Sequence, residues 1–290
     1  MNKEDILSKV DHTLLKPTAT SEEISKLCDE AIEFKTASVC IPPSYISYVH
    51  NKYPNLNICT VIGFPLGYNS LDTKIFETKK AIEDGTNEID MVINQGYVKN
   101  KQYDLIVKEI SELKKVCGNH ILKVIIETCN LEEDEKIELC KCVSEGKADY
   151  IKTSTGFGSA GASLKDVELF KKYISNDVKI KAAGGIRTKE DLEAYINAGC
   201  SRIGCSSAIK ALKSNDWWLY QFIIIVYYIE ELIVKKPIKY EKLKNVTGGR
   251  EGDSDVCIFC GIRRIDKTSY YCEKNEEKHV HIFSPDIKDY

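Results

Sequence analysis

The sequence has no excess of charge of either sign: 41 lysines and arginines stand against 44 aspartates and glutamates, a formal net charge of −3 at pH 7. The two signs are mixed along the chain, which argues against a broad basic surface for nucleic acid. Long apolar runs are also missing. Trp217–Ile229 carries no charge over 13 residues, but a bilayer span needs roughly 20, and Glu230 and Glu231 close the stretch. The opening Met1-Asn-Lys-Glu-Asp has no apolar h-region, so no secretory signal and no membrane partner are expected. A doubly wound nucleotide-binding sheet would show a glycine-rich first turn with an acid about 20 positions on, and none is found.

Cysteine, by contrast, is plentiful, with 12 residues. Most sit inside apolar runs such as Ala37-Ser-Val-Cys-Ile and Asn57-Ile-Cys-Thr-Val, where a free thiol behaves as a small buried hydrophobe. Together with the lack of an export signal, this makes the reduced cytoplasm the expected compartment.

Up to about residue 212, short strand-like segments alternate with helical ones. Strands are expected at Val10–Leu15, Thr36–Ile41, Asn57–Gly63, Glu88–Ile93, Ile121–Glu127, Ala148–Lys152, Val178–Ala183 and Ser201–Cys205. Thr20-Ser-Glu-Glu23 opens a helix with capping chemistry, and Ile24, Leu27, Cys28, Ala31 and Ile32 form its apolar stripe. One helix should follow the fourth strand through about Lys115; others are expected at Glu132–Glu145, Leu164–Ile174 and Thr188–Ala198. Eight strands joined by crossovers imply parallel pairing, and eight such units in little more than 200 residues predict an α/β fold, a (β/α)₈ TIM barrel.

In such a barrel alternate strand residues point inward, and the active site lies at the C-terminal strand ends. The alternation in Glu88-Ile-Asp-Met-Val-Ile turns Asp90 inward, and by the same phase Lys152, Lys179, Lys181, Lys123, Glu127 and Asp11 point inward. Buried charges are costly unless paired, so a cluster of both signs needs either a structural network or a catalytic reason. Two ammonium groups ~4 Å apart repel by about 4 kcal/mol at an effective dielectric of 20, enough to deprotonate one of them near neutrality. Lys152 as an amine nucleophile, Lys181 as its cationic neighbour and Asp90 as a proton shuttle form a coherent set for Schiff-base chemistry. Gly184 and Gly185 follow the seventh strand, and Gly204, Ser206 and Ser207 lie at the end of the eighth. These are the loops that tend to hold phosphate in barrels of this kind. Thr153, Ser154, Thr155 and Gly156 form a polar rim beside Lys152.

Seven segments then match a known family in order and spacing. They are Val10-Asp-His-Thr-Leu-Leu-Lys-Pro, Val61-Ile-Gly-Phe-Pro-Leu-Gly, Glu88-Ile-Asp-Met-Val-Ile-Asn, Leu122-Lys-Val-Ile-Ile-Glu-Thr, Tyr150-Ile-Lys-Thr-Ser-Thr-Gly-Phe, Lys181-Ala-Ala-Gly-Gly-Ile-Arg and Ile203-Gly-Cys-Ser-Ser. Residues 1–212 thus resemble the deoxyribose-phosphate aldolases. The resemblance implies a class I aldolase without metal or cofactor, which reversibly cleaves 2-deoxy-D-ribose 5-phosphate to acetaldehyde and D-glyceraldehyde 3-phosphate in deoxynucleoside catabolism. It implies the imine at Lys152, a pKa-lowering partner in Lys181, proton relay by Asp90, and phosphate contacts at Gly184, Gly185, Gly204, Ser206 and Ser207. Asp11, Lys123, Thr155 and Gly156 are the further substrate contacts expected, and a cytoplasmic homodimer is the usual assembly. Two other readings stay open: a phosphate-binding isomerase with Asp90 as base and no covalent adduct, and a zinc- or partner-binding protein acting through its tail.

That tail breaks the pattern. Residues 213–244 are expected to form an apolar, helical appendage to the barrel, and 245–290 a polar linker followed by a Cys/His-containing segment. Cys257, Cys260, His279 and His281 have the residue types of a tetrahedral zinc site. Val256-Cys-Ile-Phe-Cys-Gly-Ile also resembles the opening of a histidine-triad domain. His279-Val-His281 supplies two of that motif's three alternating histidines, too early in the chain for a complete domain.

Overall fold

The computed structural model describes residues 1–213 and two short strand segments, 271–272 and 279–280. Eight parallel strands close into a barrel in sequence order: β1 (Val10–Thr13), β2 (Ser38–Ile41), β3 (Ile58–Ile62), β4 (Glu88–Val92), β5 (Ile121–Ile125), β6 (Tyr150–Lys152), β7 (Lys179–Ala183) and β8 (Arg202–Cys205). Closure comes from β1, which pairs with β2 on one side and β8 on the other. The chain forms two units, Met1–Trp217 and Trp218–Tyr290, and the barrel lies in the first. In the second, Tyr271–Cys272 pairs antiparallel with His279–Val280. Cys257, Cys260 and His281, and the appendage from residue 214 on, lie outside the described residues, as does the side chain of His279. No helix among the described residues is long and apolar enough to cross a membrane.

Helices α1 (Lys3–Leu7), α2 (Ser21–Phe34), α3 (Ile46–Lys52), α4 (Leu71–Glu83), α5 (Gln95–Lys99), α6 (Tyr103–Cys117), α7 (Glu133–Glu145), α8 (Leu164–Tyr173) and α9 (Lys189–Asn197) surround the strands. Residues 208–213 are helical after β8. The capping box at α2 is formed, with Thr20 accepting from the Glu23 amide, and the helix ends where Lys35 turns left-handed at φ 51°. Ile24, Leu27, Cys28 and Ala31 are buried as expected, but Ile32 is exposed. At 100° per residue, Ile32 falls ~90° from the centre of the stripe. The single helix expected after β4 is two, because Lys101 at φ 56° breaks the chain between α5 and α6.

The alternation of the strands holds. Outward residues such as Ile89, Met91, Leu122, Val124, Ile151, Ile180, Ala182 and Ile203 join one apolar cluster beneath the helices. Inward, Cys40, Cys59 and Val61 form a small separate apolar cluster, and seven other positions carry charge where these barrels usually place branched apolar side chains. Lys179 is a correction: its phase is inward, but it sits at the start of β7, where its side chain escapes past the Tyr150 ring and is exposed.

A second buried charge pair braces the top of β4 from outside. Lys74 of α4 donates to the Val92 carbonyl at 2.6 Å and to Glu109 of α6 at 2.6 Å, while Glu109 accepts from the Asn94 amide at 3.2 Å. Burial lowers the pKa of Lys74 and raises that of Glu109, and each partly restores the other. Lys74→Met leaves Glu109 buried and unpaired, and should cost about 3–5 kcal/mol at pH 7. Since the folded pKa of Glu109 then lies above its unfolded value, the folded state binds the proton more readily and the loss should shrink as pH falls. Urea unfolding at pH 7 and pH 5 checks this; a loss that is unchanged at pH 5 would contradict it.

Candidate active site

The charges inside the barrel form one connected network. Asp90 lies at its centre: Oδ1 accepts from Lys123 at 2.8 Å, and Oδ2 accepts from Lys152 at 2.8 Å and from Lys181 at 2.5 Å. Register places these groups, since Asp90 pairs with Lys123 across β4 and β5, and Lys152 with Lys181 across β6 and β7. Asp11 accepts from Lys181, from Arg202 and from the Ser38 hydroxyl. Glu88 binds Arg202 at 3.0 Å and Lys123 at 2.6 Å, and accepts from Asn57 at 2.8 Å.

Burial and pairing oppose each other throughout this network. Burial favours a neutral Asp90, but Lys123, Lys152 and Lys181 outweigh it and hold the carboxyl well below the usual range. Burial likewise disfavours the charge on Lys181, yet Asp11 and Asp90 raise its ammonium above the lysine range. Lys123 is likewise raised well above the lysine range, burial being outweighed by Asp90, Cys59, Asp11 and Glu88. The carboxylates of Asp11, Glu88 and Asp90 therefore face the four cations Lys123, Lys152, Lys181 and Arg202, so one positive charge is in excess when all are ionised. Lys152 and Lys181 share one oxygen of Asp90, which puts their nitrogens within about 5 Å and their repulsion near 3 kcal/mol at an effective dielectric of 20.

Above the network lies a cleft of about 820 Å³ at the C-terminal strand ends. Of the seven networked charges only Lys152 reaches its wall. Thr155, Gly156, Gly184, Gly185, Gly204, Ser206 and Ser207 line the cleft, with Lys16, Arg187 and Lys210. No acidic side chain among the described residues lines it. The glycines are needed for different reasons. Gly184 and Gly185 have φ of 84° and 76°, which side chains rarely adopt, whereas a Cβ at Gly204 would meet the Ala183 Cβ at 3.0 Å and the Lys181 Cε at 3.3 Å.

Glu127 fixes the rim over Lys152. Its backbone is left-handed at φ 54°, and its buried carboxylate accepts from the Thr155 amide at 3.2 Å and from the Thr155 hydroxyl. Two groups of metal-binding residue types occur here, Cys40 with Cys59 and Asp90, and Asp11 with Cys59 and Glu88. The Lys123 ammonium already contacts this set, 3.2 Å from the Cys59 sulfur, 2.8 Å from Asp90 and 2.6 Å from Glu88. The donors are thus turned toward a lysine.

The sequence of the DeoC/LacD family aldolases matches residues 6–208, the whole of the barrel. The chain belongs to this aldolase family. A deoxyribose-phosphate aldolase of Clostridium botulinum (strain Alaska E43 / Type E3) is 61% identical over 217 residues, covering 74% of this chain and 98% of that protein. One from Clostridioides difficile (strain 630) is 54% identical over 215 residues, covering 73% and 97%. Among solved structures, the tetrameric deoxyribose phosphate aldolase of Aeropyrum pernix superposes with a TM-score of 0.68 at 30% identity, over 74% of this chain and 92% of that one.

Within this DeoC/LacD aldolase, Lys152, Lys181 and Asp90 come together as their strand phase implied. Asp11 and Lys123 do not line the cleft: both are fully buried within the charge network. Sequence reasoning missed Arg202, although its phase with Gly204 on β8 marks it as inward. It also missed the cleft residues Arg187, Lys210 and Lys16, which lie in loops or a helix where strand phase says nothing.

The network sets a stability order. Lys181→Met strips one partner from each of Asp11 and Asp90 and should destabilise the barrel by about 3–5 kcal/mol. Lys152→Met, at the open edge with one carboxylate contact, should cost less. Asp11 and Asp90 have depressed folded pKa values, so their contribution is complete above the unfolded value of ~3.9 and is lost as pH falls through the folded ones. Losing Lys181 lets those values rise, so the acid limb of the stability curve should move up in pH. Urea unfolding across pH 3–7 checks both; a larger loss for Lys152→Met would contradict the order.

Proposed function

We propose that the protein is a deoxyribose-phosphate aldolase that works through an imine at Lys152. The observation that carries this reading is that Lys152 alone joins the buried charge network to the cleft. An attacking amine must be neutral. Loss of one proton from Lys152 balances three carboxylates against three remaining cations, and Lys181, tied to Asp11 and Asp90, is the cation that stays.

The steps follow from these contacts. The neutral Lys152 nitrogen adds to the C1 aldehyde of open-chain 2-deoxy-D-ribose 5-phosphate. Asp90 relays the proton of the adding nitrogen to the carbinolamine oxygen, and with one further proton from solvent that oxygen leaves as water to give the iminium. The carbinolamine carries no charge on nitrogen, so one of the three cations that depress Asp90 is absent when it takes up the proton. The C3 hydroxyl then gives its proton to water in the cleft and becomes the new aldehyde carbonyl as the C2–C3 bond breaks, and the electron pair of that bond moves into the iminium to form an enamine. D-glyceraldehyde 3-phosphate leaves; protonation at C2 and hydrolysis of the imine release acetaldehyde and regenerate Lys152.

A phosphorylated sugar suits the rest of the cleft. Gly184, Gly185, Gly204, Ser206 and Ser207 offer backbone and hydroxyl donors in the loops after β7 and β8, Thr155 and Gly156 follow Lys152 in the chain, and four cations line the cleft without an acidic side chain among the described residues. Nine free cysteines among the described residues accord with a reducing, cytoplasmic setting.

Lys152→Leu should abolish cleavage of 2-deoxyribose 5-phosphate with the circular dichroism spectrum unchanged. Asp90→Asn should lower kcat by about 10²–10⁴-fold. Turnover retained by Lys152→Leu would move the imine to another lysine.

A further inference from the structure

Three exposed cations share the mouth of the cleft with the glycine loops: Lys16, Arg187 and Lys210. They are not electrostatically equivalent. Lys16, in the loop after β1, is already paired with Glu23 of α2 at 2.5 Å. Glu23 is itself held in place, since its second oxygen accepts from the Thr20 amide at 2.9 Å in the capping box. The charge of Lys16 is therefore compensated within the protein. Neither Lys210 nor Arg187, which lies just after Gly184-Gly185, has a side-chain ion pair among the described residues.

The position of Lys210 adds to the contrast. Lys210 follows Ser207 by three residues on the helical segment 208–213, and Ala211 donates to the Ser207 carbonyl at 2.9 Å. Helical side chains lean toward the start of their helix, a direction that for Lys210 runs toward Ser206 and Ser207, and all three line the cleft. These residues, with Gly204 and Gly184-Gly185, provide neutral donors only. Neutral donors satisfy the lone pairs of a phosphate but do not balance its charge, which is close to two at neutral pH.

We propose that Lys210 is a specificity-determining residue that makes this enzyme prefer the 5-phosphorylated sugar over the unphosphorylated one, by meeting, together with Arg187, the phosphate charge that the backbone donors leave unbalanced. The inference rests on the aldolase reading above and adds to it a residue and a discrimination. Because Lys210 acts at the far end of the substrate from the imine, it contributes to substrate binding and leaves the chemical step alone.

Steady-state kinetics of the full chain with 2-deoxyribose 5-phosphate and with 2-deoxyribose test it, with inorganic phosphate as a competitive inhibitor. Lys210→Ala should raise KM for the phosphorylated sugar by about 10–100-fold with kcat little changed, as expected for one lost charge-assisted contact. It should weaken inhibition by inorganic phosphate by a similar factor and leave kcat/KM for 2-deoxyribose as in the wild type. Lys210→Arg should restore most of the loss. Equal losses on both sugars would make Lys210 merely structural, and an unchanged KM and phosphate inhibition would remove it from the site; either result overturns the proposal. If 2-deoxyribose turns over too slowly to measure, the inhibition constant of inorganic phosphate decides alone. A wild-type protein that cleaves neither sugar would overturn the aldolase reading, and this proposal with it.

Discussion

Asp90 is the carboxylate on which the barrel interior depends, because three lysines from three strands converge on its two oxygens in a space closed to water. Each lysine would be costly to bury alone, by several kcal/mol per ion. Brought together with Asp11 and Glu88, they become a lattice in which every charge has partners at hydrogen-bond distance. The lattice needs strand registers that are correct to a single residue, since a shift of one would turn Asp90 or Lys152 out among the apolar side chains under the helices. The apolar outward faces of β4, β5 and β7 secure those registers.

The same lattice divides labour among chemically identical residues. Lys123 is fully enclosed by three carboxylates and a thiol, and Lys181 is clamped between Asp11 and Asp90. Lys152 has one carboxylate contact and one face on the cleft. On the proposed mechanism, reactivity goes to the lysine with the fewest partners and an open side. The glycine loops after β7 and β8 then determine what can approach that side, by admitting donors close to the backbone where a Cβ would intrude or a positive φ would be strained.

Much of this was legible in the sequence because a strand carries its own two-residue ruler. Glu88-Ile-Asp-Met-Val gives the inward position of Asp90 by alternation, and Lys152 and Lys181 follow from the same rule. The rule fails where the chain leaves the strand interior. Lys179 has the inward phase but lies at the strand's first residue, and its long side chain reaches solvent. Ile32 matches a helical spacing from Cys28 but lies on the flank of the stripe. Lys101 breaks a helix through a left-handed backbone that nothing in its residue type announces. Lys16, Arg187 and Lys210 are surface cations like many others in the sequence, and only closure of the barrel brings them round one cleft. The support given by Glu127 to Thr155 spans 28 residues and has no local signature.

Peptide mapping by mass spectrometry after borohydride reduction in the presence of acetaldehyde tests the division among the lysines most directly. Lys152 should carry the reduced two-carbon adduct at close to full occupancy while Lys123 and Lys181 remain unmodified. An adduct on Lys181 or Lys123, or none on any lysine of the barrel interior, would contradict the account.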